Sequence, residues 1–278
     1  MVSGPKDRQE LSPHHHAFVN RFVEACQADD RIVAAFLGGS NVKGTADAYS
    51  DIDLCLITTD EAYEEFNIRR EAFMRSLGEV VFLEDFDIPN IVFFIFSDGT
   101  EGELYFGSKS RLSQIHSGPF RILVDKKNIL AEAVFPAFEP SSSEQVEKLR
   151  RQIYLFWHEL SHFITAIGRD QLWWAHGQLD ALRSICVNLA RLRNDFSDAG
   201  VGEEPYFKIE QSMPVKQLSP LQATFCPMEK SAMLKSVFII IQFYTELAPL
   251  LAQTYSTTYP EKLERVMVER LKMLTRQD

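Results

Sequence analysis

The densest chemistry in this 278-residue chain lies between Phe36 and Leu54, where Gly38-Gly39-Ser40 is followed, after ten intervening residues, by Asp51-Ile52-Asp53-Leu54. On an extended segment residues two apart share a side, so Asp51 and Asp53 present two carboxylates together while Ile52 and Leu54 enter a core. Hard oxygen donors of this kind suit Mg2+, which keeps several waters and takes one or two carboxylates plus the oxygens of a triphosphate. Gly38 and Gly39 let the backbone turn sharply and approach phosphate oxygens, Ser40 adds a hydroxyl donor, and Lys43 adds positive charge close by. A catalytic metal pair also needs a third carboxylate beside an attacking hydroxyl, to hold the second ion or take the proton. Glu103, opening a later extended run, is the candidate; Glu84, Asp85, Asp87 and Glu101 lie on neighbouring segments and could serve in a different register.

A second pattern competes with the first. His158-Glu159-Leu160-Ser161-His162 matches the zinc-protease motif, in which two histidines four apart on a helix bind zinc and the glutamate activates water. Downstream, Asp170, His176 and Asp180 are the nearby residues of ligand type, none in a recognisable protease context. A milder reading has His158, Glu159 or His162 contacting an acceptor or a nucleotide, and polar decoration of a bundle helix explains them equally well. Trp173, Trp174 and His176 follow at the start of the next helical segment, where aromatic faces suit a sugar ring or a base, or simply a core. Arg183 could reach a triphosphate or serve as an ordinary surface charge.

The elements that must position these groups are legible from periodicity. Ala17–Cys26 has helical spacing, Ile32–Leu37 and Ile52–Ile57 are strand-like, and Glu61–Leu77 is helical again. Val80–Leu83, Ile91–Phe96, Glu103–Phe106 and Phe120–Val124 are β-branched or aromatic runs, with a short helix over Ser108–Ile115. These predict a mixed β-sheet with helices on one face. At Pro136–Ser143 the composition turns to Pro, Phe and Ser, and Ser142 with Gln145 reads as a capping box opening a long helix. Glu144–Ile167, Gln171–Leu192, Ser231–Leu251 and Pro260–Leu274 then have helix length and helical spacing, so an all-α helical bundle is expected. The fold class is therefore α+β, with residues 1–135 as a catalytic domain and 136–278 as a helical domain. Ser197–Pro227, rich in Pro, Gly and Ser, is a long connection of unassigned conformation.

The formal net charge of −10 argues against tight binding to duplex DNA, which rests on basic residues releasing phosphate counterions. Four scattered cysteines lack the spacing of a zinc ribbon or the density of a disulfide scaffold, which suits reduced thiols and a cytoplasmic protein. The first residues are polar, without the apolar stretch of a signal peptide. Met233–Ile241 is the most apolar run and is too short to span a bilayer, so no membrane partner is expected. His14-His15-His16 reads as a solvated helix start.

The Gly-Gly-Ser turn followed by an Asp-x-Asp strand resembles the signature of the DNA polymerase beta-like nucleotidyltransferase superfamily. The order of elements, the Gly102-Glu103-Leu104-Tyr105-Phe106 strand and the helical second half are similar to the antibiotic nucleotidyltransferases, particularly the larger lincosamide type. The resemblance implies that Asp51 and Asp53 hold Mg2+ and the phosphates of ATP, and that Glu103 is a base or a metal ligand. An acceptor hydroxyl would attack the α-phosphorus in line and release pyrophosphate. It further implies a small-molecule acceptor, a lincosamide or an aminoglycoside, met by the segment around Trp173, Trp174 and His176. A homodimer that builds the acceptor site at its interface fits this type of enzyme. Other branches of the superfamily modify a protein or RNA, and a non-catalytic nucleotide-binding protein is the alternative of a different class.

Overall fold

A computed structural model describes residues 13–136, 141–193 and 204–275. The chain divides into two compact units, Met1–Phe138 and Glu139–Asp278. Unit 1 is built on six strands: β1 (Ile32–Leu37), β2 (Ile52–Thr58), β3 (Val80–Glu84), β4 (Ile91–Phe96), β5 (Glu101–Ser108) and β6 (Arg121–Asp125). Their order is β3-β4-β5-β2-β1-β6. The β2–β5 pair is parallel and every other pair antiparallel, so the sheet is mixed, as the sequence predicts.

Alternation decides which side of the sheet each residue serves. Leu37, Ile52, Leu54, Leu56, Leu104 and Phe106 join one core with Phe18 and Phe22 of α1 (Pro13–Ala28) and Phe66 and Phe73 of the helix Tyr63–Ser76. On the opposite face Val33, Phe36, Cys55 and Ile57 pack with Leu130 and Phe135 from the segment after β6. The two long helices of this unit thus cover one face, and Asp53, two residues before Cys55, belongs to the other. A single helical turn, α2 (Ser40–Lys43), joins β1 to the segment that leads into β2; Tyr63–Ser76 is α3.

Unit 2 comprises α4 (Ser142–Gly168), α5 (Leu172–Arg193), α6 (Ile209–Ser212), α7 (Val215–Gln222), α8 (Lys230–Thr254) and α9 (Glu261–Thr275). The capping box falls one residue earlier than the sequence suggests. Ser141 Oγ accepts from the Glu144 N–H while the Glu144 carboxylate accepts from the Ser141 N–H. A carboxylate is a stronger acceptor than the Gln145 amide and is favoured by the positive end of the helix dipole, so that register wins. At the centre of the bundle Tyr244 stacks on Phe156 with centroids 3.6 Å apart, meets Trp157 edge-on, and donates its hydroxyl to the Ile153 carbonyl. Of the Ser197–Pro227 connection, residues 204–227 carry α6 and α7, and 197–203 lie outside the described residues.

Helix α8 corrects one expectation. Its apolar character extends well beyond Met233–Ile241: the 25-residue helix has the length of a membrane span and contains an 18-residue window with a mean hydropathy of 1.4. Met233, Val237, Ile240, Tyr244, Leu247 and Leu251 are nevertheless buried in the bundle core, which accounts for the apolar composition.

Candidate active site

The Gly38-Gly39 turn at the end of β1 is shaped around Asp53. The Gly38 N–H donates to the Asp53 carbonyl at 3.0 Å. Gly39 has φ 58° and ψ −150°. A Cβ at Gly39 would lie 1.6 Å from Asp53 Oδ2, so only glycine leaves room for the carboxylate where it stands. The neighbouring Asp51 is fixed through its carbonyl, which accepts from Asn41 Nδ2 at 2.8 Å. Asn41 itself is buried in α2, so the turn grips the start of β2 at both aspartates.

The parallel pairing of β2 and β5 sets Glu103 directly beside Asp53 and Gly102 beside Ile52. A Cβ at Gly102 would come within 2.2 Å of the Ile52 carbonyl oxygen, so the strands approach this closely because residue 102 has no side chain. Among the alternatives for a third carboxylate, Glu84 is on β3, three strands from β2, while Glu101 opens β5 two residues before Glu103 and pairs with Ile95 of β4. Asp85 is committed to an ion pair with Arg70. Glu103 is the carboxylate in register with Asp53.

Electrostatics follow from this crowding. Burial, then the charges of Asp51 and Glu103, push the Asp53 carboxyl up to about 6, with Lys43 opposing. Burial, reinforced by Asp51, also raises Glu103, while a hydrogen bond from Tyr105 pulls it down. A cavity of about 430 Å3 opens over Asp53, lined by Gly38, Gly39, Lys43, Asp53, Cys55, Tyr105 and the segment Gln114–Ser117 with Pro119. Ser40 Oγ is buried without a hydrogen-bond partner. Such a hydroxyl is a ready donor to an oxyanion.

Sequence reasoning missed His116 and Tyr105. His116 stands edge-on to Phe36 and Phe135, its Nε2 is 3.1 Å from the Pro119 carbonyl oxygen, and its ring sits against Gly38, where an added Cβ would meet Cε1 at 2.8 Å. Burial holds its pKa below the ordinary imidazole value. A lone histidine in a Ser-Gly-Pro stretch carries no periodic signal. Tyr105 could have been found, because it lies two residues from Glu103 on the same side of β5.

The remaining predicted site residues belong to unit 2. Trp173 on α5 is 83% exposed and Trp174 38% exposed, so neither is a core residue, and His176 is exposed as well. His158 and Glu159 lie on α4. Arg183 is a correction. It is 4% exposed, and its guanidinium is spent inside the unit: Nε donates to Thr224 Oγ1 at 2.7 Å, Nη1 to Asp180 at 2.7 Å and Nη2 to the Thr224 carbonyl at 3.2 Å, with the Phe225 ring over it at 4.0 Å. Those partners leave it a structural role rather than one at a triphosphate.

Three comparisons bear on this geometry. No curated protein sequence matches the chain. Among solved structures it is similar to an aminoglycoside 6-adenyltransferase from Bacillus subtilis, with 13% identity, a TM-score of 0.44, and 95% of this chain and 99% of that one covered. The sequence profile described as streptomycin adenylyltransferase matches residues 14–274, through both units. The match falls on an aminoglycoside-named family rather than the lincosamide type, and it spans nearly the whole chain: this protein belongs to the streptomycin adenylyltransferase family.

Proposed function

We propose that this protein transfers AMP from ATP to a hydroxyl of an aminoglycoside, with Mg2+ held by Asp51 and Asp53 and with Glu103 as the general base. The observation that carries the reading is the placement of Asp53 against the Gly38-Gly39 turn and beside Glu103, with Asp51 close enough to raise its pKa. Asp51 and Asp53, crowded with Glu103 and with the exposed Lys43 opposing their charge, are a donor set that a hard dication fits. The buried, unpartnered Ser40 hydroxyl and the side-chain-free Gly-Gly turn suit a triphosphate in the same place.

When bound, Mg2+ would supply charge stabilisation for the attacking and leaving oxygens. The protein's own groups do the rest. The turn and Ser40 hydrogen-bond phosphate oxygens, and Lys43 adds positive charge at the mouth of the cavity. Glu103, with its raised pKa, accepts the proton of the acceptor hydroxyl as that oxygen attacks the α-phosphorus and pyrophosphate leaves. Trp173, Trp174 and His176, all exposed on α5, are the side chains we assign to the acceptor.

The test is pyrophosphate release from ATP with Mg2+ across a panel of aminoglycosides and lincosamides, with Asp53→Asn as control. Release that needs both an aminoglycoside and intact Asp53 is the expected result. ATP binding without release across the panel would overturn the reading.

A further inference from the structure

We propose that His158, Glu159 and His162 form a second metal site, on α4, for one divalent ion of the zinc class. The inference goes beyond the transfer reaction and does not rest on it. The two histidines are four residues apart, so the helix stacks them on one face, and their rings lie 4.3 Å apart. Glu159 stands between them, with one carboxylate oxygen 4.0 Å from His158 Nε2 and the other 3.8 Å from His162 Nδ1. One ligand atom from each of the three falls within 4.8 Å of the other two. Ligands at about 2.0–2.1 Å on a tetrahedral ion are separated by about 3.4 Å. The imidazoles close the difference by rotating, since their side chains are 61% and 41% exposed.

What distinguishes this trio from surface polarity is the support beneath it. The Glu159 side chain is only 18% exposed. Gln178 on α5, with its amide oriented to satisfy both neighbours, donates to Glu159 Oε2 at 2.5 Å and accepts from Trp174 Nε1 at 3.2 Å. The Trp174 ring also stands 5.7 Å from the His162 ring. A carboxylate fixed from behind while its front faces two imidazoles is how outer groups orient metal ligands. Two imidazoles and one carboxylate select a borderline transition-metal ion, Zn2+ above all, over the hard Mg2+ that suits an all-carboxylate set. Glu159 occupies the place of a third ligand here, so the trio keeps no separate general base of the kind a zinc protease needs, and we assign binding rather than peptide hydrolysis. His158 and Glu159, expected from the sequence to meet an acceptor, are better matched to this role.

The experiment uses the full chain with His14, His15 and His16 changed to Asn, stripped with chelator and held in excess Mg2+ to saturate carboxylate sites. Equilibrium dialysis against Zn2+ is compared between this protein and the same protein carrying His158→Asn and His162→Asn. The expected result is loss of one zinc equivalent in the second protein, and a roughly 10- to 100-fold weaker site in Gln178→Ala. Substitution with Co2+ should give a visible absorption band of imidazole ligation that the double variant lacks. Equal zinc stoichiometry and affinity in the two proteins would overturn the proposal. Circular dichroism of the metal-free proteins checks folding. If the double variant unfolds, His158→Asn alone, at the more exposed position, decides: weaker zinc binding supports the site and unchanged binding removes it.

Discussion

Asp53 carries an electrostatic load that the fold tolerates for the sake of the site. Its pKa is raised from 3.8 to about 6, so the folded chain holds that proton more tightly than the unfolded chain does. The sign follows. This group's contribution to stability falls as pH rises from 3.8 to about 6, and is at its least favourable above that. In chelator-treated protein at pH 7, Asp53→Asn should therefore raise stability by about 1–3 kcal/mol while abolishing transfer, on the scale of about 1.4 kcal/mol per pKa unit. Urea melts should show the gain shrinking toward pH 4, and a gain that persists there would contradict the electrostatic account. Gly39→Ala attacks the same carboxylate sterically. Its methyl would stand 1.6 Å from Oδ2 at a φ of 58°, so we expect at least a ~100-fold fall in transfer and a loss of ~1–3 kcal/mol, measured by initial rates and thermal melts.

At the scale of elements, the site depends on how closely β2 and β5 approach. Gly102→Ala should force the Ile52 carbonyl away and misplace Glu103 relative to Asp53, so pyrophosphate release and melting temperature should fall together. A second element-level device joins α1 to β1. The Asp29 carboxylate accepts from the Arg31 backbone N–H and guanidinium, while Lys126 Nζ donates to the Asp29 carbonyl at 2.8 Å. The Arg31 hydrogen bonds hold the Asp29 pKa below its ordinary 3.8. That contribution is complete above pH 3.8 and is lost as pH falls through the lower folded value. Asp29→Asn should destabilise the protein at pH 7 by about 1 kcal/mol, with the difference from wild type vanishing in strong acid. The strands themselves were legible in the sequence, since Ile32–Leu37 and Ile91–Phe96 are apolar runs between turn residues. Asp51 and Asp53 were legible because alternation alone puts them on one side. The pairing of Asp53 with Glu103 was not, because register between strands fifty residues apart is set by packing and by the missing side chain of Gly102. The capping box slipped to Ser141 and Glu144 because two overlapping sets of polar residues fit the same spacing.

On the scale of the whole molecule, the described hydrophobic cores belong to one unit or the other, so each unit has its own weak points. In unit 2 one of them is polar and buried. Arg183 ties α5 to Thr224, and Ser236 of α8 also donates to the Thr224 carbonyl. An arginine at a helical position reads the same in sequence whether solvated or buried, which is why its role needed the structure. Arg183→Ala would strip Thr224 of its two bonds from the guanidinium, and calorimetry should record a loss of ~2–4 kcal/mol. The consequence reaches α8, which has the composition of a membrane span but spends it on the bundle core. A chain with unit 2 loosened would offer the cell's quality control a long greasy stretch that chaperones and proteases would seize. Substitutions in this half of the protein would then lower the amount of enzyme in a cell well before they lowered the turnover of each molecule.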